Sequence, residues 1–170
     1  MNDFVALVLT VVVALLLRRY VLCLTRIQGR SMMPTLKNGQ WAFVTRFDYL
    51  LRHPKRGDVV ICFFPGRRMK RLPFLRQMMI KRVVGLPGET LSFEEGAVLI
   101  NGTPLEEPYL DPLFARRRMN RAPVTLGDME YFVLGDNRDG SNDSRAVGPL
   151  PRHMIIGHVR FILPFRPLRS

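Results

Sequence analysis

A mainly β protein with one apolar N-terminal helix is the fold class this sequence predicts, on three observations. Short runs rich in β-branched and aromatic residues recur along the chain and end at Gly or Pro. An Asn101-Gly102 pair lies between apolar arms, the strongest short-range signal for a hairpin. After Leu24 no stretch sustains the 3.6-residue apolar period of an amphipathic helix.

Taken in order, the first element is the apolar segment 4–17, in which nothing is more polar than Thr10. As a helix it rises about 21 Å, short of a bilayer core. Carried on through Leu24 it reaches about 31 Å, with Arg18 and Arg19 able to extend toward headgroups. A cleavable signal peptide is disfavoured, because Met1-Asn2-Asp3 carries no basic side chain and no small-x-small site follows the apolar run. The sequence predicts a retained anchor over residues 1–25 and a β-rich domain over 26–170. Runs 41–44 and 58–64 read as strands, and 78–84 as an extended apolar run holding Lys81. Residues 98–105 form the hairpin, where Asn101 and Gly102 can take positive φ. Runs 130–134 and 158–163 complete the set.

Composition bounds the partners. Twenty-six Lys and Arg against 14 Asp and Glu give a net charge of +12, which suits nucleic acid, an anionic membrane surface or an acidic protein without choosing among them. A hydrophobic share of 47% is ample for a packed core. Cys23 and Cys62 have no metal-ligand spacing and read as buried thiols, and His53, His153 and His158 are scattered, so no metal or cofactor is expected. The basic stretch 67–76 reads equally as a solvated loop or as a membrane-surface contact, with Leu72 and Phe74 among its cations. The second, 116–121, reads as a solvated loop.

Two residue types single out a site. Ser31 follows Gly29, which permits an unusual backbone, and precedes Pro34, which fixes the chain after the turn. That setting suits an exposed nucleophile, although turn and helix-capping serines are common. A serine hydroxyl needs a base, and a lysine serves only if its pKa falls well below about 10.4. In extended chain Lys81 shares a face with Met79 and Val83, so desolvation favours its neutral form unless the side chain reaches outward to solvent. The other lysines, Lys37, Lys55 and Lys70, lie in polar or basic surroundings. A third segment, Gly135-Asp136-Asn137-Arg138-Asp139-Gly140-Ser141-Asn142-Asp143-Ser144-Arg145, is too polar and turn-rich to be a mere connection.

Ser31-Met32-Met33-Pro34-Thr35-Leu36, Lys81-Arg82-Val83-Val84-Gly85-Leu86-Pro87-Gly88-Glu89 and the 135–145 segment resemble, in order and spacing, three signature boxes of bacterial type I signal peptidases. The resemblance covers nearly the whole chain. It implies a signal-peptidase-type antiparallel β-sheet catalytic domain behind a transmembrane helix, with Ser31 as nucleophile and Lys81 as general base and acid. It implies that Ser141 orients the Lys81 amine, and that ion pairs of Arg82 with Asp136 and of Asp143 with Arg145 hold the boxes together. The oxyanion would be held by the Ser31 backbone N–H. Gly29 stands where some members carry a serine, which resembles the Gram-positive branch. Ile27, Met32, Leu36, Met79 and Ile80 match the shallow pockets that read small residues before the cut, although core packing explains each equally well. The implied substrates are secretory preproteins bound by strand addition. An anionic lipid membrane is a further implied partner and the export translocon a candidate one, while no cofactor is implied.

Orientation divides two arguments. The positive-inside rule places the Arg18 and Arg19 end in the cytoplasm, whereas the resemblance implies an extracytoplasmic catalytic domain on a single-pass cell-membrane protein, and the resemblance is preferred. Rival readings are another Ser-Lys peptidase, such as a conjugative-transfer type, and a catalytically idle membrane-tethered binding protein of the same fold. A repressor-type self-cleaving protein lacks its DNA-binding helical domain here. Nucleic acid is not an expected partner, since no recognition-helix pattern accompanies the basic stretches.

Overall fold

The chain begins as an 18-residue α-helix, α1 (Asp3–Tyr20), in a computed structural model that describes residues 3–20, 23–68, 76–115 and 119–163. Its large apolar side chains between Phe4 and Leu15 stand uncovered, Phe4 being 75% and Leu7 62% exposed. Among the described residues no helix is long and apolar enough to cross a membrane. The helix is shorter than the run through Leu24 that the apolar pattern allows. By Cys23 the chain is already a strand, because Leu24-Thr25-Arg26 finds backbone partners in a neighbouring strand at Phe43, Ala42 and Trp41.

Strands dominate the rest of the chain: β1 (Cys23–Arg26), β2 (Trp41–Thr45), β3 (Val59–Arg68), β4 (Arg76–Gly85), β5 (Thr90–Glu94), β6 (Ala97–Ile100), β7 (Thr103–Pro104), β8 (Arg121–Thr125), β9 (Glu130–Leu134), β10 (Leu150–Pro151) and β11 (Ile155–Leu163). Two one-turn helices, α2 (Asp48–Leu51) and α3 (Ser144–Val147), punctuate them. Seven strands form one antiparallel sheet in the order β1-β2-β11-β3-β4-β9-β10, and four form a second in the order β7-β6-β5-β8. The hairpin turns at Asn101 (φ 50°) and Gly102 (φ 81°), the left-handed pair that a two-residue loop requires.

The two-residue period of β3 divides the large sheet's side chains. Val60, Cys62 and Phe64 pack with Val83, Tyr131 and Val133, while Ile61 packs with Ile27, Met32, Leu36, Ala42 and Val44. Val84, Phe132 and Leu134 join Leu91, Phe93 and Val98 of the small sheet in a third cluster. Strand β4 lies between β3 and β9 and touches all three clusters, Met79 and Ile80 at their margins, so a polar side chain on it is walled by core. The Cys62 thiol is buried and unpaired. The Cys23 side chain, the basic run 69–75 with the side chains of Arg67, Arg68 and Arg76, and Arg116 to Arg118 lie outside the described residues.

Candidate active site

Ser31 opens a tight turn, residues 31–35, between β1 and β2. The turn is closed by Met33 N–H donating to Arg30 O at 3.1 Å and Leu36 N–H to Met32 O at 2.8 Å, with a cis Met33–Pro34 bond. Met32 and Leu36 are buried beneath it and anchor it to the sheet, while Ser31 itself is half-buried at the edge of a cleft.

Lys81 reaches this turn from the middle of β4. Its Nζ lies 2.9 Å from Ser31 Oγ and donates to Ile80 O at 2.8 Å. The side chain is 1% exposed, and burial pulls its pKa below 10.5, overcoming the opposite pull of Cys62, Asp143 and Asp136. At 2.9 Å a neutral amine accepts the serine proton directly, so the pair has the geometry of a nucleophile and its base.

The 135–145 segment supplies the support. Asn137 N–H donates to Ser31 O at 3.1 Å and Asn137 Nδ2 to Arg30 O at 3.1 Å, fastening the segment to the Ser31 turn. Asp136 accepts Thr35 Oγ1 at 2.5 Å and is gripped on both oxygens by Arg82, at 2.9 and 2.6 Å. Asp143 is gripped likewise by Arg145, at 2.8 and 2.9 Å, and also accepts Gly135 N–H at 3.0 Å. Burial alone would raise the Asp143 pKa, but the Arg145 guanidinium holds it below the usual carboxylate range. Gly135 threads a gap that admits no side chain, because an added Cβ would overlap Ser141 Oγ and Ser31 O and sit 2.5 Å from Ser141 Cβ.

Ser141 therefore borders the site, but it is not hydrogen-bonded to Lys81. Its Oγ is shut off from solvent and has no hydrogen-bond partner of good geometry, although it helps to hold the Asp143 charge. Met79 and Ile80 line a cleft of about 470 Å³ together with Ser31, Lys81, Ile61, Met78, Thr25, Arg26, Gln28 and Gln77. Ile27, Met32 and Leu36 do not line it and lie in the core below. The polar wall of Thr25, Gln28 and Gln77 carries no local sequence signal, since it forms only when β1 and β4 face each other across the cleft. Sequence reasoning also missed Arg138, Glu107 and Tyr109. Arg138 is 5% exposed and bound through both terminal nitrogens to Glu107, while Tyr109 lies under Arg82 at 3.8 Å. Among the described residues no group of His, Cys, Asp and Glu is arranged to hold a metal ion.

Nearly the whole chain is similar to known proteins. Residues 1–164 match the family described as signal peptidase, peptidase S26. A signal peptidase I of Leptolyngbya laminosa is 40% identical over 94% of this chain and 76% of its own. The signal peptidase I S of Bacillus subtilis is 33% identical over 97% and 90%, so relatives extend across cyanobacteria and Gram-positive bacteria. The crystal structure of a signal peptidase I from Enterococcus faecalis aligns with a TM-score of 0.50 at 30% identity, covering 64% of this chain and 98% of that one. With the family model covering nearly its full length, the chain belongs to the signal peptidases of the peptidase S26 family and is a serine peptidase.

Proposed function

We propose that this protein is a membrane-tethered signal peptidase I that removes N-terminal signal peptides from exported preproteins after small residues, at Ala-x-Ala type sites. The observation that carries the reading is the 2.9 Å approach of a buried, pKa-lowered Lys81 to Ser31 Oγ. In this reaction Ser31 Oγ attacks the scissile carbonyl carbon as its proton passes to Lys81 Nζ, and the oxyanion is held by the Ser31 N–H. The ammonium then protonates the departing amine, which leaves an ester on Ser31. Water, deprotonated by Lys81, attacks the ester, and the proton returns to Ser31 Oγ. The buried Ser141 hydroxyl supports an orienting role, because even while it helps to hold the Asp143 charge its oxygen keeps acceptor capacity to meet the Lys81 amine.

Met79 and Ile80 give the cleft an apolar wall beside Ser31, which suits small side chains on an extended substrate. The helix α1 serves as the anchor. Its 18 residues rise about 27 Å, and its charges, Asp3, Arg18 and Arg19, fall at its two ends. The uncovered Phe4, Leu7 and Leu15 match a lipid environment, the partner that a net charge of +12 favours when its lipids are anionic. The catalytic domain then lies on the extracytoplasmic side, where preproteins leave the translocon.

The test is cleavage of a preprotein with an Ala-x-Ala site by the detergent-solubilised full chain beside Ser31→Ala, with the cut read by mass spectrometry. Cutting after the second Ala that is lost in Ser31→Ala is the expected result; no cutting by folded wild type would sink the proposal and leave an idle binding protein. Deleting residues 1–20 is expected to abolish co-flotation with vesicles containing anionic lipid while the domain still cuts a short soluble peptide. Undiminished flotation would remove α1 as the anchor.

A further inference from the structure

Residues 105–115 leave the small sheet after β7 and reach the active-site segment, and we infer that Glu107 and Tyr109 on this strap are positioning residues for the Ser31–Lys81 pair. The inference rests on that pair being the reactive one.

Three contacts tie the strap down. Glu107 accepts Arg138 Nη1 at 2.9 Å and Arg138 Nη2 on its other oxygen, and accepts the Tyr109 hydroxyl at 2.5 Å. The Tyr109 ring lies 3.8 Å from the Arg82 guanidinium carbon, a cation–π contact in a desolvated setting. Asp139 N–H donates to Phe114 O at 3.3 Å. The Glu107 and Arg138 side chains are only 7% and 5% exposed. A buried ion pair of this kind is poor evidence of stabilisation, since apolar replacements of similar volume often serve as well. What it fixes is therefore more informative than what it adds.

It fixes both ends of a four-residue stretch. Arg138 Nε donates to Gly135 O at 3.2 Å, while Arg82 holds Asp136 on both oxygens. Between them Asn137 N–H carries Ser31 O, and Gly135 presses on Ser31 and Ser141. Glu107 sets Arg138 and Tyr109 sets Arg82, so the strap braces residues 135–138 from outside the large sheet. The charges also balance, two guanidiniums against the carboxylates of Asp136 and Glu107. The groups facing Lys81 are Cys62 on β3 and Asp136, Asp143 and Arg145 on the 135–145 segment, with Arg82 beside it on its own strand. Neutralising Glu107 leaves an excess of buried positive charge there, which disfavours the Lys81 ammonium.

The experiment measures full-length wild type, Glu107→Gln, Glu107→Asp and Tyr109→Phe in micelles, by cleavage kinetics against pH and by 13C NMR titration of the Lys81 side chain. Glu107→Gln is expected to lower kcat by about 10- to 100-fold, the scale of a small misplacement of reacting groups, with KM within about twofold. The Lys81 titration should move down by about half a pH unit, less than the one to three units of a directly adjacent charge. Glu107→Asp should recover most of both effects. Tyr109→Phe keeps the ring and loses only the hydroxyl, so it tests the strap even if Glu107→Gln folds poorly; its kcat should fall by about threefold or more. If kcat and the Lys81 titration stay at wild-type values in Glu107→Gln and kcat is unchanged in Tyr109→Phe, the strap is structural only and the inference is overturned. If wild type does not cut yet the titration shifts in Glu107→Gln, the peptidase reading fails while the positioning of Lys81 by the strap stands.

Discussion

Replacing Lys81 with Met is expected to lower kcat/KM by about four to six orders of magnitude, the scale seen when a member of a catalytic set is removed, without lowering the stability of the fold near neutral pH. A similar-sized apolar side chain fills the space, so the core that walls Lys81 stays packed. The pH dependence gives the result its sign. Lysine is protonated in the unfolded chain up to about 10.5, whereas burial lowers that value in the folded protein. Between the two values the unfolded state binds more protons, so wild-type stability rises with pH through this window. Below the folded value the full penalty of burying the ammonium applies, and above 10.5 it is gone. The Met variant escapes the penalty, so its thermal stability relative to wild type should be greatest at acidic pH and should decline as pH approaches 10.5. Thermal unfolding of both proteins across pH 5 to 10 checks this, and a Met variant less stable than wild type at pH 5 would count against a desolvated lysine. Wild-type activity should also rise with pH, as Lys81 loses its proton.

Gly135→Ala is the second large effect. The new Cβ would overlap Ser141 Oγ and Ser31 O, and the second of these is backbone that cannot rotate aside. Relief requires the Ser31 turn and the 135–145 segment to part, which moves Ser31 relative to Lys81. A loss of about 100-fold in kcat/KM is expected, together with about 1–3 kcal/mol of stability from overpacking. Gly127→Ala is the control, since its Cβ would come no closer than 3.4 Å to Glu130, and it should behave as wild type in the same assays. Equal behaviour of the two variants would show that the Gly135 gap is not tight.

The elements read from sequence were those whose signals are local. Val-, Phe- and Ile-rich runs gave β2, β3, β9 and β11 within a few residues, and Asn101-Gly102 fixed the hairpin turn. β1 was hidden because Cys23-Leu24 continues the apolar composition of the helix, and only pairing with β2 makes it a strand. β8 was hidden because Arg121-Ala122-Pro123 lacks strand propensity and is held by register with β5. The Ser31 turn, Lys81 and the 135–145 segment stood out because unusual chemistry sat in unexpected surroundings. The sides of the cleft and the strap did not, since Gln28, Gln77, Glu107 and Tyr109 acquire their surroundings only from residues distant in the chain. Ile27, Met32 and Leu36 show the limit of apolar character as a guide, because a pocket wall and the core beneath it look alike in sequence.

The strand order of the large sheet has a consequence for biosynthesis. β11 lies between β2 and β3, so the sheet joins the part that presents Ser31 to the part that carries Lys81 only through residues 155–163. Among the described strands a ribosome delivers those residues last. A nascent chain therefore holds Ser31 and Lys81 on two sheet fragments without their shared strand, and the sheet between them closes only when residues 155–163 slot into the middle.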